Sequence, residues 1–330
     1  MNVGMTFDLK DAYLNRGFTP EDAAEFDSET TVGAIENILQ ARGGQVDRIG
    51  SVDRLVARLA AGERWDLVFN IAEGVQGRGR EAQIPALLDA WNIPYTFSGP
   101  DILVLTLNKA WTNSVVRSHG VCTAEFAVIR EPYDVYDLDL PFPLFVKPVA
   151  EGTSKGIGPR SLVTNGPDLK GVCEELLERF QQPVLVETYL PGREFTVGIL
   201  GDGDNARSIG VMEVTSTGSG DGSAYTYANK MNWRQNVAYA LVDDDTSQKA
   251  KELALKAWKG LGCLDAGRVD VRLDAQGKPC FMEVNPLPGL DPSCSDLPIL
   301  HGLGGGKFED LVGTILDSAM LRAAKNGRSR

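Results

Sequence analysis

An α/β fold that turns α+β toward its C-terminal end is predicted by three features of this 330-residue sequence. Over the first third, segments of helical spacing alternate with short apolar runs, the order that builds a parallel sheet covered by helices. Further along, strand patterns sit on either side of Pro–Gly or Gly turns, as antiparallel pairs do. No internal repeat or low-complexity linker interrupts either texture.

Composition narrows the function classes. Hydrophobic residues make up 43% of the chain, enough for two or three packed domains. The net charge of −12 is spread along the whole length, so neither nucleic acid nor an anionic membrane is an expected partner. No apolar run approaches the roughly 20 residues of a membrane span. The opening M-N-V-G-M-T-F-D lacks the basic and apolar regions of a signal peptide. Cys122, Cys173, Cys263, Cys280 and Cys294 show no C-x-x-C spacing and read as reduced thiols of a cytoplasmic protein. With only His119 and His301, imidazole-based nucleophilic chemistry has little to draw on.

In order, Thr30–Arg42 has a helical stripe of Val32, Ile35, Ile38 and Leu39 that ends near Gly43 and Gly44. Val52–Ala61 reads as a second helix and Trp65–Ile71 as a buried strand. A polar loop, Ala72–Glu81, leads to a helix over Gln83–Trp91, a short strand over Ile93–Phe97 and a turn at Ser98–Pro100. Ligands of parallel sheets sit beyond the carboxyl ends of the strands. The loop Ala72–Glu81 has that position, as a binding loop or an ordinary solvated connection.

Leu107–His119 is predicted as a helix carrying Lys109, followed by strands at Phe126–Ile129 and Leu144–Val149, the second with Lys147 inside it. The loop Glu151–Gly158 holds three glycines beside Thr153 and Ser154. Glycines admit backbone N–H groups to phosphate oxygens, and hydroxyls add hydrogen bonds. It is not a Walker A motif, and a plain hairpin turn is the alternative. Pro167–Phe180 is an amphipathic helix. Val184–Tyr189 and Glu194–Leu200 are strands around a Pro–Gly turn, with another at Ser208–Glu213. Thr215–Met231 has little regular pattern, with Gly218, Gly220, Gly222 and Lys230, and stretches of that kind are usually lids or disordered. Thr246–Leu261 and Phe308–Ala323 are helices.

The densest chemistry lies in two strands, Gly267–Asp274 and Cys280–Asn285, joined by the turn Ala275–Gly277. Alternation puts Arg268 and Asp270 on one face of the first, and Glu283 and Asn285 on one face of the second. Carboxylate and amide oxygens are the hard ligands that Mg²⁺ prefers. A surface salt bridge from Arg268 to a carboxylate is the alternative.

Several motifs occur in one order: F-V-K-P…E-G-T-S-K-G-I, V-L-V-E-T-Y-L-P-G-R-E-F-T-V, Y-T-Y-A-N-K, G-R-V-D-V and M-E-V-N-P-L-P-G-L. That order and spacing resemble the D-alanine–D-alanine ligase branch of the ATP-grasp superfamily, from the Trp65 strand to about His301. The resemblance implies three α/β domains, 1–105, 106–187 and 188–330, with ATP between the central and C-terminal sheets. It makes Lys109 and Lys147 phosphate contacts, Glu187 and Leu190 adenine contacts, and Glu194 the ribose carboxylate. Lys230 becomes the lid lysine at the γ-phosphate. Asp270, Glu283 and Asn285 become ligands of Mg²⁺ (or Mn²⁺), and Arg268 faces the transferred phosphoryl group. The implied reaction turns a carboxylate into an acyl phosphate, which an amine attacks to give an amide, ADP and phosphate. A homodimer is also expected.

The substrate half departs from the family pattern. Thr153, beside Ser154 in the Gly-rich loop, replaces a serine, Met231 a tyrosine, and Glu73 a histidine. Glu21, Glu25 and Glu29 are equal candidates for the acid that holds a substrate ammonium. Glu81, Gly289, Ser293 and Ser295 complete the expected substrate side, with Asp296 close by. Small amino-acid-like substrates other than a pair of D-alanines are therefore expected. The alternatives are a ligase joining an amino acid to a non-peptide acceptor, as in mycosporine biosynthesis, and a silent nucleotide-binding regulator.

Overall fold

The computed structural model describes residues 1–216, 237–325 and 327. Its first layer is a parallel sheet in the order β2-β1-β3, formed by β1 (Asn2–Thr6), β2 (Gln45–Gly50) and β3 (Leu67–Asn70). Neither β1 nor β2 stands out by its alternation. Gly4 has no room for a side chain, since a Cβ there would lie 2.5 Å from Ile49 Cδ1. The helices Glu29–Ala41 and Val52–Ala60 follow the predicted stripes, and the Ser28 hydroxyl caps the first by accepting from Thr31 N.

Two elements differ from expectation. Ile93–Phe97 forms no strand, only a single bridge between Tyr95 and Val68. Asn92 and Phe97 have left-handed φ values of 54° and 70°, and Pro94 between them has no N–H to donate. A further helix that was not expected, Pro100–Leu107, precedes Lys109–Ser118, which is the helix expected over Leu107–His119. They break at Asn108, whose extended backbone lets its side chain cap Trp111 N. The first was hidden because D-I-L-V-L-T-L is apolar nearly all round.

A four-stranded antiparallel sheet follows in the order β4-β7-β5-β6, from β4 (Phe126–Ile129), β5 (Leu144–Pro148), β6 (Leu162–Val163) and β7 (Val184–Thr188). The third sheet is antiparallel, in the order β10-β9-β8-β11-β12. Its strands are β8 (Glu194–Leu200), β9 (Arg207–Ser216), β10 (Val237–Leu241), β11 (Ala266–Leu273) and β12 (Pro279–Asn285). Thus β7 and β8, neighbours in sequence around Pro191–Gly192, belong to different sheets. Gly192 makes this crossing possible: its N–H donates to Leu273 O, and a Cβ would lie 2.5 Å from Leu273 Cβ.

The end of the chain returns to its beginning. The helix Phe308–Lys325 buries Leu311, Ile315 and Leu316 with Val32, Ile35 and Leu39 of the first layer. Asp265 locks the junction, fully buried, accepting from Phe97 N at 2.7 Å and Ser318 Oγ at 2.7 Å and pairing with Arg322. Among the described residues no helix is long and apolar enough to cross a membrane.

Candidate active site

The β11–β12 pairing matches the predicted hairpin and sets Arg268 opposite Asn285 and Asp270 opposite Glu283. Arg268 pairs with Asp270 on its own strand face and reaches Asp296 Oδ2 at 3.5 Å. A guanidinium only donates, so the amide oxygen of Asn285 faces it, accepting from Nη2 at 2.7 Å and Nε at 3.2 Å. Thr196 of β8 donates to Asp270 Oδ1 at 2.9 Å. Lys109, at the start of its helix, stands 3.3 Å from Glu283 Oε2.

These charges sit largely out of water, with Arg268 and Asp270 side chains 13% and 11% exposed. Burial pushes the Asp270 carboxyl up despite Arg268, and the like charges of Glu283 and Asp296 add to the effect. Such a set gains from a further cation. Among the described residues no three His, Cys, Asp or Glu side chains converge on a metal position. Two carboxylates and an amide nevertheless fit Mg²⁺, which usually takes one or two protein carboxylates and fills its shell with phosphate and water oxygens.

Beyond this face lies a cleft between the two antiparallel sheets, lined by Lys147 of β5, Glu187 of β7, Leu190, Glu194 and Asp270. Lys147 Nζ is 2.7 Å from Glu187 Oε2, and Asn113 donates to the other oxygen at 3.1 Å. The Oδ1 of Asn113 is buried without a partner among the described residues. Glu194 faces Arg272 at 3.4 Å, and Arg272 donates to the Tyr189 hydroxyl. Arg272 was not foreseen, although it lies two residues after Asp270 on the same alternating face. The cleft encloses about 100 Å³.

Thr153 and Ser154 line the same cleft with left-handed φ values of 50° and 56°. Lys155 N donates to Gly152 O at 3.0 Å, so these two residues are the centre of a tight turn of the kind that hairpins use. Lys230 and Met231 lie outside the described residues, as does most of the glycine-rich stretch that begins at Thr215.

A second cavity of about 370 Å³ opens from Glu283 toward the first layer. Of the three candidate acids only Glu25 lines it. Glu21 pairs with Arg179 on the surface, and Glu29, 61% exposed, pairs with Arg48. Glu25 lines the cavity, 2.8 Å from Lys155 Nζ and 3.4 Å from Arg80 Nη2. Burial opposes its ionisation, but Arg80 and Lys155 outweigh burial and hold Glu25 below the usual carboxylate range. Gly152 packs against it: a Cβ there would lie 2.2 Å from Glu25 Oε1, so a side chain would have to displace that carboxylate. Lys155 follows the two hydroxyl residues of the Gly-rich loop, a signal present in the sequence whose partner was not.

Glu73, Glu81, Gly289 and Ser295 all line this cavity. Ser293 does not; it is exposed and donates to Asp291. The lining is strongly acidic, with Glu25, Asp27, Glu73, Glu81, Glu151, Glu283, Asp291 and Asp296 against Lys10, Lys109 and Arg268. Burial, then the neighbouring Asp291 and Asp8, push the Asp27 carboxyl up to about 8. Burial with Glu25 nearby pushes Glu81 up to about 7 despite Arg80, and Glu73 is also well raised.

A raised carboxyl binds a proton in the folded chain that the unfolded chain has already lost. Its contribution to stability is full below the unfolded value of 3.8 for Asp27 and disappears as pH rises to about 8. The melting temperature of the ligand-free protein is therefore expected to fall across this window, and less steeply for Asp27→Asn. Equal slopes in calorimetric melts of the two proteins would remove the assignment.

Two antiparallel sheets closing on a cleft, with an acid-and-amide edge at β11–β12 and a parallel α/β layer behind, define an ATP-grasp fold. A family model described as D-ala D-ala ligase C-terminus matches residues 115–317. The D-alanine–D-alanine ligase of Cupriavidus taiwanensis is 32% identical over 289 residues, covering 86% of this chain and 84% of that protein. An uncharacterized protein, y4sG, of Sinorhizobium fredii is 31% identical over 267 residues, covering 79% and 76%. The crystal structure of the D-alanine–D-alanine ligase from Bacillus anthracis superposes with a TM-score of 0.77 at 19% identity, covering 99% of both chains. The chain belongs to the D-alanine–D-alanine ligase family.

Proposed function

We propose that this protein is an ATP-dependent carboxylate–amine ligase that forms an amide through an acyl phosphate, and that one substrate carries an additional cationic group. The observation that carries the second clause is the acid-lined cavity. The carboxylates of Asp27, Glu73 and Glu81 line it with no hydrogen bond or ion pair of their own among the described residues. Half-buried carboxylates crowded together in that condition are costly to ionise, and a ligand ammonium relieves the cost.

Within this reading the residues divide by charge. Lys109, Lys147 and Arg268 face the triphosphate, where fixed cations stabilise charge that moves in phosphoryl transfer. Backbone N–H groups around Thr153 and Ser154 orient the same phosphates. Glu187 and Leu190 hold the base and Glu194 the ribose. Asp270, Glu283 and Asn285 would hold Mg²⁺, which when bound neutralises phosphate charge. The substrate carboxylate attacks the γ-phosphate, and the amine then displaces phosphate from the acyl group. Enclosure matters because water competes with the amine for the acyl phosphate. Glu25, held by Lys155 and Arg80, positions a substrate ammonium at the far wall.

The test is phosphate release across a panel of amino acids, diamines and diamino acids, with product masses. D-Alanine alone is expected to be poor, and an acceptor with a second ammonium, L-configured or non-proteinogenic, better. Glu73→Gln should raise KM for that acceptor about tenfold while leaving KM for ATP in place, the range expected for loss of a charged partner. D-Alanine alone releasing phosphate as fast as any compound in the panel would overturn the substrate reading and leave the ligase reading intact.

A further inference from the structure

The thiols of Cys122 and Cys280 face each other with their sulfurs 3.0 Å apart. Cys122 lies between the helix Lys109–Ser118 and β4, and Cys280 lies in β12. The backbone holds them together: Phe281 N donates to Cys122 O at 2.7 Å, and Thr123 forms an isolated parallel bridge with Phe281. Paired strands run about 4.8 Å apart, within the Cα separation of about 4.4–6.8 Å that a disulfide accepts. Cys173 and Cys263, by contrast, are at most 1% exposed. Cys122 is partly exposed and lines a surface recess, with Cys280 buried behind it.

We propose that Cys122 and Cys280 are a modification site, a dithiol that a peroxide converts reversibly to a disulfide, and that closing it lowers activity at the nucleotide cleft. The Cys122 thiolate attacks a peroxide oxygen, giving a sulfenic acid and releasing water from hydrogen peroxide. The Cys280 sulfur then attacks the sulfenic sulfur, forming the S–S bond and releasing a second water. The two thiols give up two electrons and two protons, and one peroxide is reduced to two waters. A dithiol reductant reverses the step by exchange.

The consequence for activity follows from position. Ala124 and Phe281, two and one residues beyond the thiols, line the cleft. Glu283 follows Cys280 by three residues on the same strand. On the other side, Arg117 of the helix that carries Lys109 and Asn113 donates to Thr123 Oγ1 and Ala124 O. Bond closure therefore pulls on both supports of the cleft at once. Displacements of about 1 Å in such supports cost up to about 100-fold in rate.

The experiment treats the full-length protein with hydrogen peroxide, alkylates remaining thiols and maps the peptides by mass spectrometry. A Cys122–Cys280 linked peptide is expected, with phosphate release and binding of a fluorescent ATP analogue both reduced at least several-fold and restored by dithiothreitol. Analogue binding reads the effect without reference to which amide the enzyme makes. Cys122→Ser and Cys122→Ala should keep their analogue binding in peroxide. Absence of the linked peptide from wild type overturns the proposal. So does linkage with analogue binding unchanged, or an equal loss in the Cys122 variants.

Discussion

Replacing Arg268 by alanine is expected to cost both stability and nearly all turnover. In the folded chain Arg268 pairs with Asp270, lies 3.5 Å from Asp296 and donates to the amide oxygen of Asn285, while 13% exposed. Its removal leaves two carboxylates facing one another with their compensating charge gone. Removing one member of a buried ion pair typically costs about 3–5 kcal/mol, because the other charge stays behind. Phosphoryl transfer would lose its fixed cation as well, and an arginine in that role is worth about 10³–10⁵-fold in rate. Arg268→Lys separates the two effects. It keeps the charge, so its melting temperature should lie near wild type, but it loses the fork that reaches Asp270 and Asn285 together. Turnover by Arg268→Lys at the wild-type rate would exclude a role for the guanidinium in the reaction.

Glu283→Ala is the second large effect, expected to abolish phosphate release with the fold intact. Glu283 stands opposite Asp270 across the β11–β12 pair and 3.3 Å from Lys109. Its side chain is 29% exposed, so deletion opens no large cavity. If Asp270, Glu283 and Asn285 hold Mg²⁺ on the phosphates, the loss falls on charge neutralisation, nearly all that a protein contributes to phosphoryl transfer. Removal of one such electrostatic contact typically costs about 10²–10³-fold. Raising Mg²⁺ should recover part of the loss, which a purely structural residue would not show. Wild-type turnover by Glu283→Ala at saturating ATP and Mg²⁺ would remove the metal assignment.

The sequence itself determined the parts of this protein that depend on local repetition. The period-2 alternation in Gly267–Asp274 and Cys280–Asn285 was enough to set Arg268, Asp270, Glu283 and Asn285 on one surface, and the β11–β12 register bears that out. The helical stripes in Glu29–Ala41 and Asp245–Leu261 were legible for the same reason, because side-chain direction follows from spacing once the backbone state is known. Strands β1 and β2 were missed, since parallel pairing joins Val3 to Val46 and Leu67 and leaves no mark within five or six residues. Only the tertiary structure shows that Glu25, and not Glu21 or Glu29, lines the cavity. All three are acids in one short segment, and the choice was made by Lys155 and Arg80, 130 and 55 residues away. The acid-lined cavity was decided in the same way, by Asp27, Glu73, Glu81 and Asp291 arriving from three separate segments of the chain. A residue's chemical type is written in the chain, but its charge environment is set by neighbours that only folding supplies.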